Sequence, residues 1–120
     1  PILKIKANSD TDGFDLFIAL SIILLNQSDV NQLSTGVIRV RGKDSKISRE
    51  RIIKLQPILA IFPRGSQLRI SIAGSAWPAI AINPGRIDRP CVASDPHSLI
   101  TTISLNLVKA NLKINPLFQK

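Results

Sequence analysis

The stretch Gly13-Phe14-Asp15-Leu16-Phe17-Ile18-Ala19-Leu20 decides how the chain is read. It leads into a nearly continuous apolar run, Leu16 to Leu25, interrupted by Ser21. Apolar residues fall almost all round a helical projection, so residues 15–27 are expected to form a helix covered on more than one side. Asp15 then stands at the helix start. There a carboxylate accepts hydrogen bonds from unpaired backbone N–H groups and meets the positive end of the helix dipole, a stabilisation of about 1 kcal/mol. Capping accounts for Asp15 without any chemistry. A phosphoaspartate role would need clustered acids around a metal, and only Asp10 and Asp12 lie near it in sequence.

On either side of this run the pattern changes. Residues 2–7 alternate, with Leu3 and Ile5 on one side and Lys4 and Lys6 on the other, as in a half-buried strand. Val37 to Arg41 repeats the pattern, with Ile38 and Val40 inward and Arg39 and Arg41 outward. Gly42-Lys43-Asp44 turns the chain, and residues 46–48 make a short return strand. Ser48 can cap a helix beginning at Arg49, whose apolar side is Ile52, Ile53 and Leu55 and which ends before Pro57. Residues 67–72 alternate as a fourth strand. Residues 74–94, rich in proline and glycine, read as irregular. Asp95-Pro96 is a helix start, followed by Leu99, Ile103, Leu107 and Ala110 at helical spacing. The order β-α-β-β-α-β-α predicts an α+β fold. It is an open-faced sandwich, with a four-stranded antiparallel sheet carrying three helices on one face.

Composition sets further bounds. A chain of 120 residues with 44% hydrophobic residues suits one globular domain spanning 1–120. A net charge of +8 favours an acidic partner, whether nucleic acid, an anionic surface or an acidic protein. Cys91 is the only cysteine, so no internal disulfide forms and a reducing, cytoplasmic setting is expected. The apolar run is about half the roughly 20 residues a bilayer span needs, so no membrane insertion is expected. The sequence offers no phosphate-binding glycine loop, zinc-ligand spacing or acid/base carboxylate pair. Catalysis, a metal and a cofactor are therefore not expected.

Taken together, these elements resemble the phosphocarrier protein HPr family of the bacterial sugar phosphotransferase system. Gly13 to Ala19 is similar to the family's phosphorylation motif, residues 52–56 (IIKLQ) to the start of its second helix, and residues 65–74 (GSQLRISIAG) to its fourth strand. Asp95 to Leu112 would be its last helix, after an insertion at about 75–94. Asp15 stands where the family's reactive histidine would be, Phe17 replaces its arginine and Ile18 its proline, and Arg51 falls at a regulatory serine position. The only histidine, His97, reads as a solvent-facing residue of the last helix. The resemblance thus implies a regulatory or assembly module that has lost phosphotransfer and kept a docking surface.

That surface would hold Phe17, Arg49, Arg51, Ile52, Ile53, Lys54 and Gln56, an apolar centre with a basic rim suited to an acidic protein partner or a larger complex. Of Ile52 and Ile53, one is expected inward and one outward. The alternative is a nucleic-acid-binding module, with Lys4, Lys6, Arg39, Arg41 and Arg69 gathered as a phosphate-binding stripe on the open sheet face. No aromatic side chain shares that face, so bases would lack a stacking platform.

Overall fold

Gly13–Ile23 is a strand, and everything else in the architecture follows from that. In the computed structural model, which describes residues 1–76 and 79–115, there is no α-helix among the described residues. The strands are β1 (Ile2–Ser9), β2 (Gly13–Ile23), β3 (Val30–Arg41), β4 (Arg49–Lys54), β5 (Gln67–Ala73) and β6 (Ile103–Lys113). A 3-10 turn, Lys43–Lys46, joins β3 to β4. The strands form two three-stranded antiparallel sheets, ordered β4-β1-β6 and β3-β2-β5. The expected α+β sandwich with three helices is therefore corrected to an all-β sandwich of two sheets.

Each displaced helix has a physical reason. β2 is the central strand of its sheet, and both of its faces are largely covered. Phe14, Leu16, Ile18, Leu20 and Ile22 point into the core, while Asp15 and Ser21 are also buried. A strand apolar on both sides cannot be told from a buried helix by periodicity, and its isoleucines and phenylalanines then favour the extended form. β4 hides its alternation because one inward position is an arginine. Arg51 and Ile53 of the strand and Leu55 just after it are buried, while Glu50, Ile52 and Lys54 are exposed. At 95–98 the Asp95 carboxylate does accept a hydrogen bond from a backbone N–H, that of His97, at 2.9 Å, but it stabilises a turn. The chain then runs on as β6.

The core lies between the sheets. Leu3, Ile5 and Ala7 of β1 with Ile53 and Leu55 face Phe14, Leu16, Ile18 and Leu20 of β2. One flank is closed, where β3 crosses β4: the Gln56 N–H donates to Thr35 O at 2.9 Å, and the Ser34 hydroxyl to Gln56 O at 2.6 Å. Gly36 permits this approach, because a Cβ there would lie 2.6 Å from Lys54 O. The opposite flank, between β5 and β6, is open. Leu68, Ile70 and Leu105 lie directly opposite the buried Ile22, Leu20 and Ala7, on the inner side of their sheets. Yet they remain 44%, 37% and 39% exposed.

The expected insertion at 75–94 has a definite place where it is described. Residues 81–89 lie over the outer side of β2 and β3, with Ile82 bridged to Val92 and Leu99 N–H donating to Pro84 O at 2.9 Å. No helix of the described residues is long and apolar enough to cross a membrane.

Candidate functional site

Asp15 is a structural carboxylate near the start of β2, which corrects the helix-cap reading. It is 2% exposed and receives both Nε and a terminal nitrogen of Arg39, at 3.0 and 2.8 Å, from the directly opposite position on β3. Asn83 adds a third donor at 3.0 Å and also donates to Val40 O at 3.2 Å. The hydrogen bonds to Asp15 raise the Arg39 pKa above its ordinary value. Gly13 is bare because Asn83 sits against it: a Cβ there would lie 2.6 Å from Asn83 Oδ1. Gly13 to Ala19 is thus the start of a buried strand clamped by residues 81–89, not a phosphorylation motif.

The two residue sets marked in the sequence are regrouped by the fold. Phe17 lies on β2, half-buried opposite Val37 and Ala73, in the other sheet from Arg49 to Lys54. Arg51 and Ile53 are buried at 4% and 0% and present nothing to solvent, whereas Ile52 is 51% exposed. One isoleucine faces in and one out, as expected. The five cations of the alternative stripe do not share a face. Lys4 and Lys6 lie on the outer side of β1, while Arg39, Arg41 and Arg69 lie on the outer side of the opposite sheet.

Members of both sets meet in a groove of about 440 Å³ on the closed flank, lined by Arg39, Arg41, Arg49, Arg51 and Ile52 with Asp44 and Glu50. Its arginines are already engaged. Arg39 holds Asp15, and Arg41 donates to the carbonyls of Arg86, at 2.6 Å, and Arg89. Arg49 makes a paired contact with the Asp44 carboxylate at 2.8 and 2.9 Å, and Arg51 donates to the same carboxylate. Arg51 also donates to the carbonyls of Ala7, Asp44 and Ile47 at 3.1, 2.7 and 2.9 Å, and its guanidinium lies 5.5 Å from the centre of the Phe14 ring. This groove is a fastening of the fold.

Hydrogen bonds from Arg49 and Arg51 hold the Asp44 carboxyl down at about 2, against an ordinary 3.8. A carboxylate with a lowered native pKa stabilises the fold above its unfolded value and loses that contribution as pH falls. Acid unfolding is therefore expected to include an Asp44 component between pH 3.8 and about 2. In Asp44→Asn, circular dichroism should show lower stability at neutral pH and a flatter dependence across that window.

Two of the exposed surfaces gather several apolar or basic residues. The first is the open flank with Leu68, Ile70 and Leu105. The second is the outer side of the β4-β1-β6 sheet, where Lys4, Lys6, Ile52 and Lys54, drawn from both predicted sets, stand together with Lys113. Sequence reasoning placed none of Leu68, Ile70, Leu105 or Lys113 in a site. Leu105 and Lys113 lie opposite Ala7 and Ile2 of a strand legible in the sequence, whereas Leu68 and Ile70 lie opposite Ile22 and Leu20, which the helical reading takes out of the sheet.

The chain is an all-β sandwich whose groove arginines are engaged within its own fold and whose inner flank is bare. The model of the X-Pro dipeptidyl-peptidase C-terminal non-catalytic domain, PepX_C, matches residues 1–111, and the chain belongs to that family. This replaces the HPr resemblance, whose matching pieces are short and now lie on strands of a different topology. No curated protein and no solved structure matches the chain.

Proposed function

We propose that this chain is a docking module with no catalytic chemistry of its own, seating a neighbouring protein domain on the open β5/β6 flank. The observation that carries the reading is the exposure of Leu68, Ile70 and Leu105 on the inner side of their sheets. Inner-face side chains of a sandwich normally meet the opposite sheet. Here they await a cover that the described residues do not provide. Covering a Leu or Ile side chain fully is worth about 1.5–3 kcal/mol, so these positions can supply the apolar centre of an interface. The family description supports the same reading, since it names a non-catalytic domain of a peptidase. The natural candidate for the cover is the catalytic domain of such an X-Pro dipeptidyl-peptidase. A nucleic-acid role is the weaker reading, because the basic residues proposed for it are divided between opposite faces.

Calorimetric titration of the chain against a separately produced catalytic domain tests the proposal. Binding is expected, with a negative heat-capacity change from apolar burial. Leu68→Ser with Ile70→Ser should weaken it by at least about tenfold. The chain alone should not cleave a chromogenic Ala-Pro substrate. Absence of binding, insensitivity to the double substitution, or cleavage by the isolated chain would each overturn the reading.

A further inference from the structure

The basic excess of the chain is unevenly used. Arg39, Lys46, Arg49, Arg51, Arg86 and Arg89 are ion-paired with its own acids. Lys4, Lys6, Lys54 and Lys113 take part in none of the ion pairs among the described residues, and they share one surface. Across the outer side of the β4-β1-β6 sheet the register sets Lys54, Ile2 and Lys113 in one row. Ile52, Lys4 and Asn111 form the next, and Glu50, Lys6 and Asn106 the third. Adjacent strands lie about 4.8 Å apart and alternate residues of one strand about 6.6–7 Å apart. Each of these lysines is therefore within about a Debye length of the next, and together they raise the local potential. Glu50 is the one acid in these rows. Ile52 is exposed on the edge strand β4, directly opposite Lys4.

We propose that this lysine face is a second docking surface, one that binds an extended acidic protein segment with an apolar side chain among its carboxylates. Charge complementarity selects an anionic occupant. The exposed Ile52 beside Lys4 and the pitch select a protein. An extended chain repeats its side chains every second residue at the same roughly 6.6–7 Å spacing as Lys4 and Lys6, so carboxylates on one side of it fall beside successive lysines. An aliphatic residue on the same side of the segment, beyond the carboxylate that meets Lys4, can turn onto Ile52 on the neighbouring strand, and the long lysine stems lie along that contact. Nucleic acid is the poorer match. A flat three-stranded sheet does not enter a B-DNA groove as a helix or two-stranded ribbon does. Among the described residues the face also has no aromatic side chain on which a base could stack. This inference is independent of the open flank, which is made of inner-side apolar residues, whereas the lysine face is the outer side of its sheet.

The test uses the full chain and a fluorescein-labelled peptide EEEELEEEE, followed by fluorescence polarisation, with a labelled DNA duplex as comparator. The peptide should bind, and its affinity should fall as salt rises from about 0.05 to 0.15 M. Lys4→Glu with Lys54→Glu should weaken it by at least about tenfold. Ile52→Ser should weaken it by about threefold, an effect that charge alone would not produce. Arg69→Glu, on the opposite outer face, should change it by less than about twofold. All these positions are at the surface, and thermal unfolding verifies that the variants remain folded. Equal weakening by Arg69→Glu, indifference to Lys4→Glu with Lys54→Glu, or duplex binding as tight as the peptide's at the same salt would each overturn the proposal.

Discussion

Arg51→Met should destabilise the fold by about 3–5 kcal/mol, read as a shift of the urea midpoint with an unchanged slope. The methionine fills similar volume, so the loss is one of polar satisfaction. Arg51 is 4% exposed and donates to the carbonyls of Ala7, Asp44 and Ile47 as well as to the Asp44 carboxylate. Removing the guanidinium leaves those acceptors without their donor, and buried unsatisfied groups cost about 1–3 kcal/mol each before relaxation. The attraction to the Phe14 ring is lost as well. Arg49→Met is the control. It removes a pairing with the same carboxylate, but that pair is largely exposed, and such pairs contribute about 0–1 kcal/mol. A similar loss at both positions would mean that Asp44, not the set of buried carbonyls, is what Arg51 serves.

The same residue shows how far the sequence could be read. β1 and β5 were legible because they alternate cleanly between apolar and polar residues, and a period of two has one structural meaning. Clean alternation marked the C-terminal end of β3 as well. β4 also has a period of two, but an inward arginine breaks it in the letters, and residues 52–55 then resemble one side of a helix. β2 failed for the opposite reason. Its two faces are both covered, so almost every residue is apolar and the period vanishes. β6 is mostly exposed, and its register slips between the positions opposite Lys4 and Lys6, which lets Ile103, Leu107 and Ala110 satisfy helical spacing.

The candidate sites were legible in part. Lys4 and Lys6 read as facing away from the core, and one of Ile52 and Ile53, unspecified, is expected outward. The fold turns Ile52 out and sets it beside Lys4 across β1 and β4. Asp15 was misread as a cap because its partner Arg39 is distant in sequence and close only through the hairpin register. Acid and arginine at mirrored positions about a turn are a signal that cross-strand pairing would have revealed.

The open flank yields the second large effect, in a comparison between neighbours. Leu20 on β2 and Ile70 on β5 lie directly opposite each other and point to the same side of the sheet. They are 0% and 37% exposed. Leu20→Ala removes packed methyl groups from the centre of the core and should cost about 2–5 kcal/mol, since the surrounding side chains can only partly collapse into the space. Ile70→Ala removes a side chain that already meets water on one side, and should cost the isolated chain about 1 kcal/mol or less. In the complex with a partner domain the order reverses. Ile70→Ala should then weaken association, whereas Leu20→Ala should act on association only through the unfolded fraction. Two residues of one cross-strand pair would thus divide between folding and binding. If Ile70→Ala instead destabilises the isolated chain as much as Leu20→Ala does, the flank is part of the closed core in solution and the docking surface must be sought elsewhere.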